Sequence, residues 1–112
     1  MYDLALEAVR ANYTPLTPST FLKRAALVYP DHPSVIHGSK RFTWKETYTR
    51  ARQLASALRK RGVKRMETVA IMGSNTPEMY EATFAVPMMG AVINTLNVRL
   101  DAEAIAFCLN HG

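Results

Sequence analysis

Three histidines, one cysteine and a few serines are the residues with which this chain could do chemistry of its own. His32 and His37 flank a short apolar run, His111 is the penultimate residue, and Cys108 stands three residues before it. No His-x-x-x-His pair places two imidazoles on one helical face, and no second ligand stands close to Cys108, so the spacing offers no metal site. Ser34, Ser39 and Ser74 fall in loop-like segments, but none has the Gly-x-Ser-x-Gly setting in which a sharp strand-to-helix turn exposes a nucleophile. The turn Gly73-Ser74-Asn75-Thr76 is the other candidate, because a helix that starts after a strand presents free N–H groups to an anion. It holds one glycine, against three in the dinucleotide fingerprint, and lacks the lysine of a phosphate loop, so it is read as a capped turn. No catalytic residue and no metal ligand is expected in the chain.

The elements around these residues are more legible. Thr68 to Asn97 reads as strand, turn, helix, strand: two apolar runs, Val69-Ala70-Ile71-Met72 and Ala91-Val92-Ile93, suit parallel strands covered on both faces. Between them Thr76 is the expected cap, Pro77 the first helical residue and Glu78 a carboxylate in the first turn. Pro87 predicts a kink or an early end near Val86. Upstream, Thr43 and Glu46 form a Thr-x-x-Glu capping box. The stripe Trp44, Thr47, Tyr48, Ala51, Leu54, Ala55 and Leu58 keeps helical spacing as ordinary core, and Gly62 supplies the stop. A helix from Pro18, capped by Thr17 and ended by Pro30-Asp31-His32-Pro33, presents Phe21, Leu22, Ala25, Ala26 and Tyr29 on one face. A hairpin turning at Gly38-Ser39-Lys40 follows. Asp101 caps a last helix, with Ile105, Ala106 and Leu109 as its apolar face. Residues 1–16 are expected to form an N-terminal arm. Residues 17–112 make part of an α/β domain, a small hairpin and a parallel βαβ unit with an incomplete sheet. The last helix has no strand after it, so the fold is expected to be cut off at the C-terminus.

Composition narrows the setting. The chain has 112 residues, of which 48% are hydrophobic, enough for one small core. One cysteine cannot close an internal disulfide, which favours a reducing compartment and a cytoplasmic location. No apolar run approaches the roughly 18 residues of a membrane span, and no basic-then-apolar leader opens the sequence. The net charge is +5, and Lys40, Arg41, Lys45, Arg50, Arg52, Arg59, Lys60, Arg61, Lys64 and Arg65 cluster within one stretch. Such a cluster attracts polyanions, but without interleaved aromatics or zinc-finger spacing it reads as a solvated helix face and loop.

Two stretches carry a family resemblance. Phe42-Thr43-Trp44-Lys45-Glu46 resembles the first core motif of the adenylate-forming acyl-CoA synthetases: an apolar residue, Thr or Ser, an aromatic, any residue, then Glu. Gly90 to Leu100 resembles the second, Gly-Ala-Val followed by Asn-Pro-Leu-Asn-x-Arg-Leu, with Thr95 in place of the common Pro. Ala11 to Gly38 is similar to the branch of bacterial and plant short- to medium-chain ligases that includes the methylmercaptopropionate-CoA ligase-like group. The resemblance implies the N-terminal piece of the AMP-binding large domain of a ligase. Such an enzyme turns a carboxylate and ATP into an acyl-adenylate and pyrophosphate, then passes the acyl group to coenzyme A. The family's phosphate loop, its magnesium-holding Glu, its ribose-binding Asp and its C-terminal lysine have no counterpart here. The parent would use ATP, Mg2+ and coenzyme A, while this segment alone is expected to bind none of them and to be inactive.

By the same resemblance, Arg99 of Asn-x-Arg-Leu is the one candidate binding residue, as a contact to a phosphate of coenzyme A. Its structural alternative is a surface salt bridge to Asp101 or Glu103. The implied partners are the remainder of the same large domain and, in the parent, a small carboxylate and coenzyme A, with neither nucleic acid nor a membrane span. Two other functions stay open: a free-standing basic α/β module that binds nucleic acid, and a truncated interaction or regulatory protein. Met79, Phe84, Met88 and Met89 are expected to leave exposed apolar surface, which fits the ligase segment or the docking protein.

Overall fold

The computed structural model describes residues 9–11 and 13–112. In chain order they form α1 (Pro18–Val28), β1 (Pro33–His37), β2 (Lys40–Thr43), α2 (Trp44–Lys60), β3 (Thr68–Met72), α3 (Pro77–Met88), β4 (Val92–Leu96) and α4 (Ala102–His111). The expectation of an N-terminal arm falls outside the described residues for 1–8 and 12. Residues 9–11 and 13–16 are exposed and belong to no helix or strand.

The helix starts follow from their caps. At α1 the Thr17 hydroxyl accepts the Thr20 N–H (3.2 Å) and the Thr20 hydroxyl accepts the Thr17 N–H (2.8 Å), a capping box closed by a second threonine. At α2 the Glu46 N–H donates to the Thr43 hydroxyl (3.2 Å) while the Glu46 carboxylate accepts the Thr43 N–H (2.8 Å). The chain leaves α2 through Gly62, at φ 97°, a conformation that a side chain would strain. Asp101 caps α4 through the Ala104 N–H at 2.8 Å. Thr76 departs from its expected role: it occupies the cap position of α3 without a side-chain bond to the first-turn amides. The Thr76 hydroxyl instead helps hold the Glu78 carboxyl below its ordinary pKa. Pro87 neither ends α3 at Val86 nor stands in its middle. It lies in the last turn, where only one backbone bond is forfeited, and the helix runs on to Met88 before Gly90 turns the chain at φ 81°.

The core is the meeting of α1, α2 and α3. Thr47, Ala51 and Ala55 of α2 are buried, and Trp44, Tyr48, Leu54 and Leu58 are half-buried, so the whole expected stripe faces inward. Ala82, Ala85 and Val86 oppose it from α3, and Leu22 is the buried side chain of α1. The alanines let the α2 and α3 backbones approach closely, and burial against them removes apolar surface from water. The rest of the α1 face is less covered than its spacing predicts: Ala25 and Ala26 are half-buried, while Phe21 and Tyr29 are exposed. Two polar contacts tie the seam. Glu81, whose side chain is 7% exposed, pairs with the Arg50 guanidinium, which also lies 4.6 Å over the Phe42 ring. Ser34 donates to the Phe42 or Thr43 carbonyl and meets the buried Thr47 hydroxyl, locking the hairpin to α2.

β1 and β2 pair antiparallel, with Ile36 opposite Arg41 and His37 opposite Lys40. β3 and β4 pair in parallel from Thr68–Val92 to Met72–Leu96, joined by α3 as expected. The two pairs form separate two-stranded sheets. The parallel sheet corrects one expectation. Its strands are covered on one face, where Val69, Ile71 and Ile93 pack against the core, while Thr68, Ala70 and Met72 are exposed on the other. Among the described residues α4 reaches that side, through Asn94 Nδ2 donating to the Cys108 carbonyl at 3.2 Å, and one short helix cannot cover a sheet. The apolar residues at the end of α3 correct another: Met89 is buried, and Met79, Phe84 and Met88 are half-buried within the chain. Exposed apolar side chains lie elsewhere, on Leu27, Ile36, Met66 and Phe107 among others. No helix among the described residues is long and apolar enough to cross a membrane.

Candidate functional site at the carboxyl ends of the parallel strands

Ligands of α/β folds gather where strands end and helices begin, so the loops after β3 and β4 are the place to look. They border a groove of about 580 Å3 lined by Gly73, Ser74, Asn75, Met79, Leu96 and Asn97, among others. Its lining is neutral: hydroxyls, amides and apolar groups, with no ionisable side chain. Gly73 needs no special backbone conformation, and a methyl in its place would only touch Met79 Cε at 3.4 Å. The tight turn is held by the Thr76 N–H donating to the Ser74 carbonyl at 2.8 Å. Gly73 therefore does not provide the close backbone approach by which glycine loops cradle phosphate.

The positive end of α3 is also taken. The Glu78 carboxylate stands in the first turn of that helix, with Lys40 3.4 Å away. Its own backbone N–H most of all, then the Thr76 hydroxyl and Lys40, hold its pKa below the usual carboxylate value. An incoming anion would compete with a carboxylate already in place. A second groove, about 500 Å3, lies on the hairpin side of the same turn, between Ser34–His37 and Thr76, Pro77, Met79 and Tyr80. Burial pushes the Tyr80 phenol up from its ordinary value, and its ring stands edge-on to Phe84 at 5.0 Å. His37 is the only other ionisable group there, no carboxylate lines the groove, and the Ser34 hydroxyl is engaged with the Phe42 or Thr43 carbonyl and the Thr47 hydroxyl.

Arg99 lies directly beyond β4. Its N–H donates to Asn97 Oδ1 at 2.9 Å, an Asx turn that fixes the backbone and leaves the side chain exposed. The expected salt bridge does not form: among the described residues Arg99 pairs with neither Asp101 nor Glu103. Asp101 is engaged in capping α4, which turns its carboxylate toward the Ala104 N–H. Ser34 and His37 share one groove, and no three His, Cys, Asp or Glu side chains gather among the described residues. Cys108 is free and half-buried. Two structural contacts escaped sequence reasoning, Arg50 with Glu81 and Ser34 with Thr47. The available signal was a lone acid, Glu81, within the apolar run of α3.

The geometry is thus a strand–helix–strand platform with a neutral ligand edge. The AMP-binding enzyme family model matches residues 22–112. The peroxisomal acetate/butyrate–CoA ligase of Arabidopsis thaliana is 56% identical over 107 residues, 96% of this chain and 19% of that protein. The peroxisomal benzoate–CoA ligase of the same plant is 51% identical over all of this chain and again 19% of its own length. A solved protein of Rhodopseudomonas palustris CGA009, assigned as a long-chain-fatty-acid CoA ligase, superposes with a TM-score of 0.79 at 36% identity, over 84% of this chain and 24% of that one. The chain therefore spans about a fifth of the length of the curated relatives it matches. Over the matched residues, 22–112, the chain belongs to the AMP-binding enzyme family.

Proposed function

We propose that this chain is the N-terminal part of the large domain of an ATP-dependent acyl-CoA ligase, with residues 1–16 as an arm and 17–112 as a partial subdomain. The observation that supports this is a family platform whose strand ends carry no reactive group. In the whole protein a carboxylate and ATP give an acyl-adenylate and pyrophosphate, and coenzyme A then takes the acyl group as a thioester. ATP and Mg2+ do not fit the residues described: the groove is neutral and Glu78 fills the helix end. These residues supply sheet and packing, and the groups that hold ATP and Mg2+ belong to the remainder of the domain. The relatives' differing carboxylates, acetate or butyrate in one and benzoate in another, leave the acyl group to be measured.

Arg99 is the residue to hold a phosphate of coenzyme A, since its guanidinium is exposed, unpaired among the described residues and poised beyond a strand end. The free Cys108 suits a reducing compartment, either the cytoplasm or the peroxisome in which the relatives reside, and cell fractionation of the full-length gene product separates the two. The nucleic-acid alternative has only the basic stretch behind it.

The test is thioester formation by the full-length gene product with ATP, coenzyme A and acetate, butyrate or benzoate in turn. Turnover with at least one acid is expected, and none from the 112-residue chain alone. Turnover by the isolated chain would overturn the scaffold role. Arg99→Ala is expected to raise the KM for coenzyme A roughly tenfold, the scale of one charge-assisted phosphate contact, while leaving carboxylate-dependent pyrophosphate exchange unchanged. Equal loss in both half-reactions would remove Arg99 from the coenzyme site.

A further inference from the structure

The opposite end of the parallel sheet carries a feature that the ligase reaction does not use. From the last turn of α2 into the connection to β3 the chain reads Arg59-Lys60-Arg61-Gly62-Val63-Lys64-Arg65-Met66-Glu67, five cations and one acid in nine residues. All five cations are exposed, and none has an ion-pair partner among the described residues. The nearby acid is engaged locally, since the Glu67 carboxylate accepts the Lys64 N–H at 2.8 Å. Two residues before β3 stands Met66, 72% exposed and at φ 68°, the only non-glycine residue with positive φ among those described. That conformation costs an L-residue on the order of 1 kcal/mol and favours glycine or asparagine, yet here it holds an apolar side chain out in water.

The loop is not loose. The Met66 N–H donates to the Gly90 carbonyl at 2.8 Å, and the Glu67 carbonyl accepts the Val92 N–H at 2.9 Å. The Arg65 stem packs over Gly90, where a Cβ would meet its Cγ at 3.1 Å. The fold thus presents a tethered, strongly cationic segment with one exposed apolar side chain, Met66, beside its cations. It lies at the amino ends of β3 and β4, a full strand length, about 16 Å, from the groove beyond Met72 and Leu96.

We propose that the segment of residues 59–67 is a docking surface for an anionic lipid membrane, with the cations held at the headgroups and Met66 entering the boundary with the acyl chains. Charge complementarity identifies the partner. Unpaired Lys and Arg side chains are drawn to a negative leaflet, and the single exposed apolar side chain adds burial that a polyanion in water does not offer. Nucleic acid is the lesser fit, because the loop has no aromatic ring to stack on a base. Docking here leaves the ligand edge of the sheet facing away from the surface.

The experiment is sedimentation of the full-length gene product with vesicles of neutral phosphatidylcholine alone or with about a third phosphatidylglycerol. Binding is expected to the anionic vesicles only, and to weaken when salt is raised from about 0.15 M to 0.5 M. Lys64→Glu with Arg61→Glu is expected to lower vesicle affinity at least tenfold, given about fivefold per cation removed. Met66→Gly separates docking from folding: it relieves the backbone strain, so the melt is unchanged or higher, yet vesicle affinity falls by about tenfold. The proposal is overturned by equal binding to neutral and anionic vesicles, by no binding, or by affinity that both variants leave intact. Tighter retention on single-stranded RNA than on the vesicles would assign the loop to nucleic acid and also overturn it.

Discussion

The seam between α2 and α3 and the attachment of α4 are built from similar residues with opposite results. Along the seam, Ala51, Ala55, Ala82 and Ala85 bring two helices into close contact, and the one acid inside it, Glu81, is matched by Arg50. The α4 helix has alanines and apolar side chains too, yet none of its residues is buried. Phe107 stacks on His111 in solvent, and its tie to β4 is one bond from Asn94. Amphipathic spacing makes a helix, but only a partner of matching shape turns it into core. Small residues act as an interface on α2 because α3 is there to meet them. On α4 the same residues wait for a surface the described chain does not supply.

The sharpest way to break this contrast is to remove packing where it exists. Leu22 is fully buried between α1 and the seam, and its truncation leaves a cavity that two backed helices cannot close. Leu22→Ala is expected to cost about 3 kcal/mol in urea unfolding followed by the fluorescence of Trp44, the single tryptophan. A cost under about 1 kcal/mol would mean that α1 is as loosely held as α4.

The ion pair comes next in size. Glu81→Ala leaves a guanidinium without its acid, and about 2 kcal/mol is expected, less than for a fully buried pair because the Arg50 side chain is 37% exposed. Glu81 holds the Arg50 guanidinium in its charged form, raising its pKa, mainly through their hydrogen bond. The double variant Arg50→Met with Glu81→Met is expected to recover most of the loss, since apolar side chains of similar volume can fill such a site. If the double variant is no better than the single one, the pair is required for the seam to form.

The same contrast explains what could be read from the sequence. The cap at Thr17, the capping box at Thr43, the stop at Gly62 and the parallel unit around α3 are local in cause: a hydroxyl, a glycine, an apolar run of the right length. They were legible for that reason. The face covering β3 was not, because the continuous run Val69-Ala70-Ile71-Met72 reports that both faces can be buried, not that both partners are present. The Arg50–Glu81 pair joins residues 31 apart in sequence, and no spacing rule links them. At the candidate site, the neutral turn after β3 was visible in its missing glycines. The engagement of Glu78 and the Asx turn that frees Arg99 depend on side-chain geometry that patterning does not encode.

A cap tests the middle of the range. Thr43→Ala removes the hydroxyl that accepts the Glu46 N–H and is expected to cost about 1 kcal/mol. Its partner predicts a pH dependence. Bonds from the Thr43 N–H first, and then from its hydroxyl, hold the Glu46 carboxyl below its ordinary pKa of 4.5. A depressed folded-state pKa means that the contribution is present above 4.5 and is lost as pH falls through the lower, folded value. Acid titration of stability should therefore show a loss beginning near pH 4.5, and Glu46→Gln should flatten that slope. An unchanged slope in the variant would assign the acid sensitivity to Glu78, the other depressed carboxylate described.

The smallest expected effects lie on α4, and their smallness is the informative part. Phe107 is 62% exposed, so Phe107→Ala should change urea stability by less than about 0.5 kcal/mol, against the 3 kcal/mol or more that a buried aromatic loses. Asp101→Ala removes the cap bond to the Ala104 N–H, and its effect should be local. Amides 104–111 should exchange faster with deuterium while those of α2 and α3 keep their protection, because α4 opens independently of the core. In the full-length gene product the outcome inverts if the remainder of the domain packs on α4: Phe107→Ala then becomes a large destabilisation. The difference between the two measurements on one residue reads out how much of the surface left open on α4 and the sheet is covered by the rest of the protein.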